Sequence, residues 1–516
     1  MDGETVMPLH PSRRDMLKTS LGVAAATALP SFPLMEQAMA QADATPTSAA
    51  EIIQAIRDKK ITAVSAVQAA IDRAEKLKDL NTLIYLNKDA ALAAARDVDA
   101  GKITGPLAGL PIVVKDNINT KDMPTTGGTP ALQNARPKNN APSLQKLLDA
   151  GAIIIGKANM HELAFGITST NLSSFAGPVK NPYDTTRIPG GSSGGTAAAV
   201  AAGIVTCGLG TDTGGSTRVP AALTGIVGLR PSVGNGGARR RYNDDHAVVP
   251  ISHTRDTVGP MGRSVADVAL LDSIITGTVM ASAVDLHGKR FGVPPSMWGG
   301  LDSGLLDVVA AARKKLTDAG AELIGKDIDG LADLNAKLSF PIALHEPIED
   351  IPAYLKASGI KGITLADIAA KIASPDVKGA FGAITADAFG KAYPEAVGTL
   401  RPQLQKLYEN YFRDNNLDGI LFPTTISPAP PIDTAMGSSE MTINGGKPMP
   451  TFDTMIRNTD PGSNAGIPGL SLFAGMTQSG LPVGLEIDGP IGSDITLLGL
   501  GLSMEKLFGH APPPKL

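Results

Sequence analysis

Two glycine-rich runs set the tightest limit on how this chain folds. Residues 189–195 place Gly190, Gly191, Gly194 and Gly195 around Ser192 and Ser193, then lead into Thr196 and an alanine run closed by Gly203. Residues 208–216 hold Gly208, Gly210, Gly214 and Gly215, end on Ser216, and lead into Arg218 and Pro220. Alanine favours helix, Gly203 is placed to stop that helix, and Pro220 suits the first turn of another. Each run is therefore expected to be a tight loop opening a helix. Such a loop turns successive N–H groups into one concavity that holds negative charge, and glycine lets a ligand approach the backbone. Ser216 would then lie beside an oxyanion site, as acyl transfer needs. A phosphate cradle is the competing reading. Neither run has the Gly-x-x-x-x-Gly-Lys-Ser/Thr pattern, and no Gly-x-Gly-x-x-Gly follows a strand there.

Around these loops the apolar pattern alternates between helix and strand. Ile52, Ile53, Ile56, Val64, Val67 and Ile71 recur at helical spacing, residues 83–86 read as a strand, and residues 88–100 as a helix. A buried strand is expected at residues 110–115, a helix at 143–150 ended by Gly151, and a strand at 152–155. Residues 300–400 read as helical, and strands return at 419–422 and 482–487. Residues 234–247, with their arginines and aspartates, are expected to form a solvated loop. The whole describes an α/β fold: a mixed or largely parallel sheet covered by helices.

Composition narrows the class. Hydrophobic residues make up 43% and charged residues 19%, as in a soluble globular protein. A formal net charge of −4 disfavours nucleic acid or anionic lipid as the main partner. Cys207 is the one cysteine, so no intramolecular disulfide can form. Arg13 and Arg14 precede a weakly apolar stretch over residues 19–29, and Ala38-Met39-Ala40 offers a small-residue cleavage site. That stretch is about half the roughly 20 residues a bilayer span needs, so no membrane anchor is expected. Residues 1–42 are read as a twin-arginine signal peptide that exports the protein to the periplasm or beyond, and residues 43–516 as one large domain.

The segment from Gly109 to Pro231 resembles the amidase signature family. The resemblance rests on Ser192 and Ser216, 24 residues apart, and on a strand-borne Lys in Pro111-Ile112-Val113-Val114-Lys115-Asp116-Asn117. Similar family features recur at Gly156-Lys157-Ala158-Asn159-Met160, at Gly177-Pro178-Val179-Lys180-Asn181-Pro182 and at Gly480-Leu481-Pro482-Val483-Gly484, so it spans nearly the whole mature chain. Residues 250–257 and 457–469 look like indoleacetamide and mandelamide hydrolases, in segments read as lying away from the catalytic core. The resemblance implies a single α/β/α domain with a twisted mixed sheet, and hydrolysis of a small-molecule carboxamide to acid and ammonia without cofactor or metal. It assigns the nucleophile to Ser216, the bridging serine to Ser192 after a cis Gly191–Ser192 bond, and the base to Lys115. Backbone N–H groups of Thr213, Gly214, Gly215 and Ser216 would form the oxyanion hole.

The residues themselves support several of these roles. A Lys on an apolar strand is costly to bury as a charge, and desolvation drives it toward the neutral amine that a base must be. An edge lysine reaching solvent is the alternative for Lys115. Asp116 alternates to the other strand face, so it need not hold Lys115 charged. Ser193 either orients the network or caps the following helix. Asp212 and Arg218 are expected to pair as scaffold, and Thr170 and Asn171 either touch substrate or hold their loop. A Ser-His-Asp triad lacks support, since no Gly-x-Ser-x-Gly elbow surrounds Ser216. A Cys207 thiolate is disfavoured by its apolar neighbours, and His161-Glu162 is too small a ligand set for metal hydrolysis. Arylacetamides are the expected substrates; peptide C-terminal amides, aliphatic amides, esters and carbamates stay open. A non-catalytic homologue or transamidase subunit would also keep this fold, but the retained Lys115, Ser192 and Ser216 and the export signal speak against it.

Overall fold

The computed structural model describes residues 48–236 and 240–516. The signal segment expected at residues 1–42, and its boundary with the following domain, lie outside the described residues. Thirteen strands occur among the described residues: β1 Leu83–Leu86, β2 Pro111–Lys115, β3 Ile153–Ala158, β4 Cys207–Asp212, β5 Val227–Arg230, β6 Thr257–Gly262, β7 Arg290–Gly292, β8 Glu322–Ile324, β9 Gly419–Pro423, β10 Glu440–Met441, β11 Met449–Pro450, β12 Gly469–Met476 and β13 Pro482–Asp488. Eleven build one sheet in the order β1-β3-β2-β4-β6-β5-β12-β13-β9-β7-β8, and β10 with β11 forms a separate ribbon. Neighbours β3, β2 and β4 run parallel, as do β9, β7 and β8, while the strands between are antiparallel. The sheet is therefore mixed and helix-covered, as the sequence pattern indicates.

Strand β2 shows why the sheet must be covered on both sides. All five of its residues are buried. Val113 joins a core with the helices Ala63–Lys76, Lys88–Asp99 and Gly194–Ala201. Ile112 and Val114 join a second core with the helices Ala49–Arg57, Pro142–Asp149 and Val265–Thr276. Side chains alternate along a strand, so Lys115 shares the Val113 face. That face is the one closed by the helix that follows Ser192 and Ser193.

Residues 303–414 are mainly helical, and the helices Leu331–Ala343 and Pro375–Thr385 from this region reach the site described below. The loop at 234–247 is more firmly held than expected. Arg241 pairs with the buried Asp272, and Asp244 accepts hydrogen bonds from the Ser143 N–H and hydroxyl. Arg241 and Asp244 are thus partnered within the fold instead of being left to solvent. No helix among the described residues is long and apolar enough to cross a membrane.

Candidate active site

The parallel strands β2 and β4 lie side by side, with Val114 paired to Leu209, and both end at the same edge of the sheet. Ligand sites in such sheets form beyond the carboxyl ends of the strands. Lys115 is the last residue of β2, and the loop after β4 carries residues 213–216. The helix Gly194–Ala201 brings Ser192 to the same place, after a cis Gly191–Ser192 peptide bond. Ser216 O accepts from the Ser193 N–H at 3.3 Å, which joins the two serine loops directly.

Lys115 is fully buried, with Nζ 2.7 Å from Ser192 Oγ and 2.7 Å from Thr211 Oγ1. Burial pushes its amine down to about 7, while Asp212 and Asp256 pull the other way. Asp116 is not among the groups that act on Lys115. Its carboxylate accepts from Thr126 and Gly128 N–H groups and lies 3.8 Å from Lys157. Asn117 also donates to Thr211 Oγ1, at 3.0 Å. Ser193 starts its helix without a side-chain cap. Its hydroxyl instead donates to Thr211 O at 3.1 Å and accepts from the Thr211 N–H at 3.3 Å. The hydroxyl thus ties the Ser192 loop to the end of β4 and does not cap the helix. Gly210 makes this possible, because a Cβ there would fall 2.8 Å from Ser193 Oγ.

The loop after β4 is held through its carbonyls. Asp212 O accepts from Arg230 at 2.7 Å, Thr213 O from Arg255 Nε at 3.2 Å, Gly214 O from Thr459 Oγ1 at 2.6 Å and Gly215 O from the Val219 N–H at 2.8 Å. The N–H groups of Thr213, Gly214 and Ser216 have no partner among the described residues. The Gly215 N–H differs: it donates to Asp212 Oδ1 at 3.0 Å and is not available to a ligand in this arrangement. Gly215 also has φ +139°, and a Cβ there would collide with Thr459 Oγ1. Beneath the loop Asp212 pairs with both Arg218 and Arg230, all fully buried, and Arg218 also meets Glu486. Burial alone would raise the Asp212 carboxyl, but the two guanidinium groups hold it below the usual carboxylate range.

Ser216 opens on a cavity of about 330 Å³ whose walls include Phe165, Ile167, Ile251, Leu344, Phe340 and Phe452. Phe340 and Phe452 stack with ring centres 6.4 Å apart, and each stays more than one-third exposed. The charged residues facing the cavity are Arg255, Asp376, Asp453 and Asp460, and Arg255 is ion-paired with Asp460. Asp376 Oδ2 lies 2.9 Å from His161 Nε2, while the Ser169 N–H points at Nδ1 and so assigns the ring proton to Nε2. The same His161 donates its backbone N–H to Ser192 O at 3.1 Å.

Thr170 and Asn171 are fully buried and do not reach this cavity. Thr170 bonds Ser438, and Asn171 donates to the carbonyls of Gly128 and Met160. Their place is structural, so the expected substrate contact is corrected to loop support. Cys207 is buried in β4, where burial pushes its thiol well above the usual range. The segments 250–257 and 457–469 are not remote from the site, contrary to expectation. Arg255, Thr459 and Asp460 abut the 213–216 loop, and Asp256 accepts from Thr213 Oγ1 at 2.6 Å. Sequence reasoning missed Thr211, Arg255, Asp256 and Asp376. A polar residue one short of the end of β4 was the available signal for Thr211; the others are reached only through long-range packing.

Comparisons with known proteins agree with this architecture. The family model described as Amidase matches residues 65–498, and that of the TAT (twin-arginine translocation) pathway signal sequence matches residues 10–30. An indoleacetamide hydrolase of Agrobacterium vitis is 41% identical, covering 91% of this chain and 98% of its own. A mandelamide hydrolase of Pseudomonas putida is 39% identical, covering 89% of this chain and 91% of its own. Among solved structures, the native peptide amidase from Stenotrophomonas maltophilia superposes with a TM-score of 0.75 at 28% identity, covering 92% of this chain and 99% of that one.

Proposed function

The chain belongs to the amidase family, and from that premise we propose that it is an exported arylacetamide amidase in which Ser216, Ser192 and Lys115 move one proton. The observation that carries the mechanism is the fully buried Lys115 amine, 2.7 Å from Ser192 Oγ, at the base of the serine loops. As a neutral amine it accepts the Ser192 proton while Ser192 takes that of Ser216. Ser216 Oγ then attacks the amide carbonyl, and the Thr213, Gly214 and Ser216 N–H groups receive the developing oxyanion. The proton returns through Ser192 to the leaving nitrogen, which departs as ammonia. Water attacks the acyl-enzyme by the same route and releases the acid. No step calls on a cofactor.

The substrate class follows from the cavity and from the relatives. Its walls are largely apolar and aromatic, and pockets of about 300–1,000 Å³ enclose small ligands. Among the described residues lining it, the only cation, Arg255, is already paired with Asp460. A substrate carboxylate would therefore find no free counter-charge, and an unpaired buried charge is costly. Indoleacetamide and mandelamide, named for the relatives' activities, are neutral aryl amides. The signal at residues 10–30 supports delivery of the folded enzyme to the periplasm or the exterior.

Ammonia release by the purified protein tests the reading. Phenylacetamide and indoleacetamide should be hydrolysed with higher kcat/KM than asparagine or glutamine. Equal or better turnover of asparagine would overturn the substrate assignment.

A further inference from the structure

The oxyanion donors proposed here are all backbone groups, so whatever fixes the backbone aims them. In a trans peptide the carbonyl of one residue and the N–H of the next lie in one plane and point in opposite directions. Holding the Thr213 carbonyl from behind therefore aims the Gly214 N–H forward. Its holder is Arg255 Nε, at 3.2 Å. By the same rule Arg230 on the Asp212 carbonyl and the Val219 N–H on the Gly215 carbonyl aim the Thr213 and Ser216 N–H groups, but neither holder bonds the helix Leu331–Ala343.

Arg255 does more than hold a carbonyl. It is 2% exposed, and its Nη1 donates to both O and Oγ of Ser339 at 3.2 Å. Ser339 precedes Phe340 on the helix Leu331–Ala343, which walls the cavity. Nη2 pairs with Asp460, whose other oxygen accepts from Asn335 of the same helix at 2.8 Å and from Asn464 at 3.0 Å. The pair also presses on the loop, since a Cβ on Gly214 would lie 3.1 Å from Asp460 Oδ1 and 3.3 Å from Arg255 Nη2.

We propose that Arg255 is a positioning residue that ties the direction of the Gly214 N–H to the seating of the helix Leu331–Ala343, with Asp460 fixing the guanidinium between them. The oxyanion hole is then correctly aimed only while the cavity wall is in place. A planar fork with several donors can serve a carbonyl, a serine and a carboxylate together, which an ammonium cannot. The role rests on Ser216 being the nucleophile.

The test compares Arg255→Lys and the charge-free Arg255→Gln/Asp460→Asn with the unaltered enzyme. Removing both charges avoids leaving either one buried and unpaired. On phenylacetamide, kcat should fall about tenfold to a hundredfold with KM changed less than about twofold, since one oxyanion donor is misdirected while binding is kept. Binding of phenylacetaldehyde, whose hemiacetal oxygen occupies the hole, should weaken in the same proportion, and binding of phenylacetate should hardly change. Arg255→Lys should fall between the double variant and the unaltered enzyme, and it decides alone if the double variant does not fold. A folded variant with unaltered kcat, a loss confined to KM, or equal weakening of aldehyde and acid overturns the proposal. Ser216→Ala separates the two assignments: if it still turns over and binds the aldehyde, the nucleophile is misassigned; if it does neither, normal Arg255 variants remove only the positioning role.

Discussion

Lys115 Nζ lies as close to the Thr211 hydroxyl as to Ser192 Oγ, 2.7 Å in each case. Because Asn117 also donates to Thr211 Oγ1, this oxygen faces two N–H donors and accepts from Lys115. The amine lone pair is thereby left for Ser192. Thr211→Val keeps the shape of the side chain and removes the acceptor. It should lower plateau kcat about tenfold, a loss typical of one misplaced proton-transfer partner. An acceptor favours the ammonium over the amine, so its loss should also move the acid limb of kcat to lower pH. A pH–rate profile reads both effects, and a fall in kcat with an unmoved limb would assign Thr211 to packing alone.

Lys115 should weaken the fold it serves. Its amine is lowered from 10.5 to about 7 by burial. Between those values the unfolded chain holds a proton that the folded chain lacks, so stability rises with pH across that window. Below about 7 both states are protonated and the full penalty remains. With Lys115 as the proposed base, activity should run the same way, rising as pH passes about 7 and the amine becomes neutral. Lys115→Met should therefore be inactive yet melt no lower than the unaltered enzyme at pH 7, with its relative advantage shrinking toward pH 10. Calorimetry over that range checks this. A variant that melts lower at pH 7 and recovers at high pH would contradict it.

Local signals made the two serine loops legible. Gly214 and Gly215 stand together before Ser216, and Lys115 interrupts an apolar strand; both facts are written in a few adjacent letters. Strand β12 was missed because its first six residues are buried on both faces and show no alternation, and β6 because Gly259, Pro260 and Gly262 hide it. Arg255 and Asp460 stand 205 residues apart, and Ser339 lies on a third segment. No periodicity links such residues. Thr170 and Asn171 misled for the opposite reason: polar residues in a loop look available until packing buries them.

The signal at residues 10–30 gives an independent test of destination. The pathway reads the arginine pair, so Arg13→Lys/Arg14→Lys keeps the charge and loses the address. That variant should stay in the cytoplasm with its N-terminus uncut, while the unaltered chain is found exported and cleaved near Ala40. Activity in a cell extract should be the same for both, because the change lies outside the catalytic domain. Unaltered protein recovered uncleaved from the cytoplasm would end the export reading.

The proton relay makes the sharpest demand. If Lys115, Ser192 and Ser216 act as one unit, their removals cannot add. Ser216→Ala should abolish the covalent route and leave only what binding and the oxyanion hole supply. Adding Lys115→Ala to it should then cost little more, since the base has no nucleophile to serve. Two independent losses would instead multiply. Ser192→Ala should resemble Lys115→Ala in plateau rate, because it breaks the link between the buried amine and the loop that carries Ser216. Protein mass spectrometry after a fluorophosphonate should find the label on Ser216, which borders the cavity, and not on Ser192 or Ser193, which are fully buried. Label on either of those serines, or near-normal turnover by Lys115→Ala, would show that the relay runs through other residues.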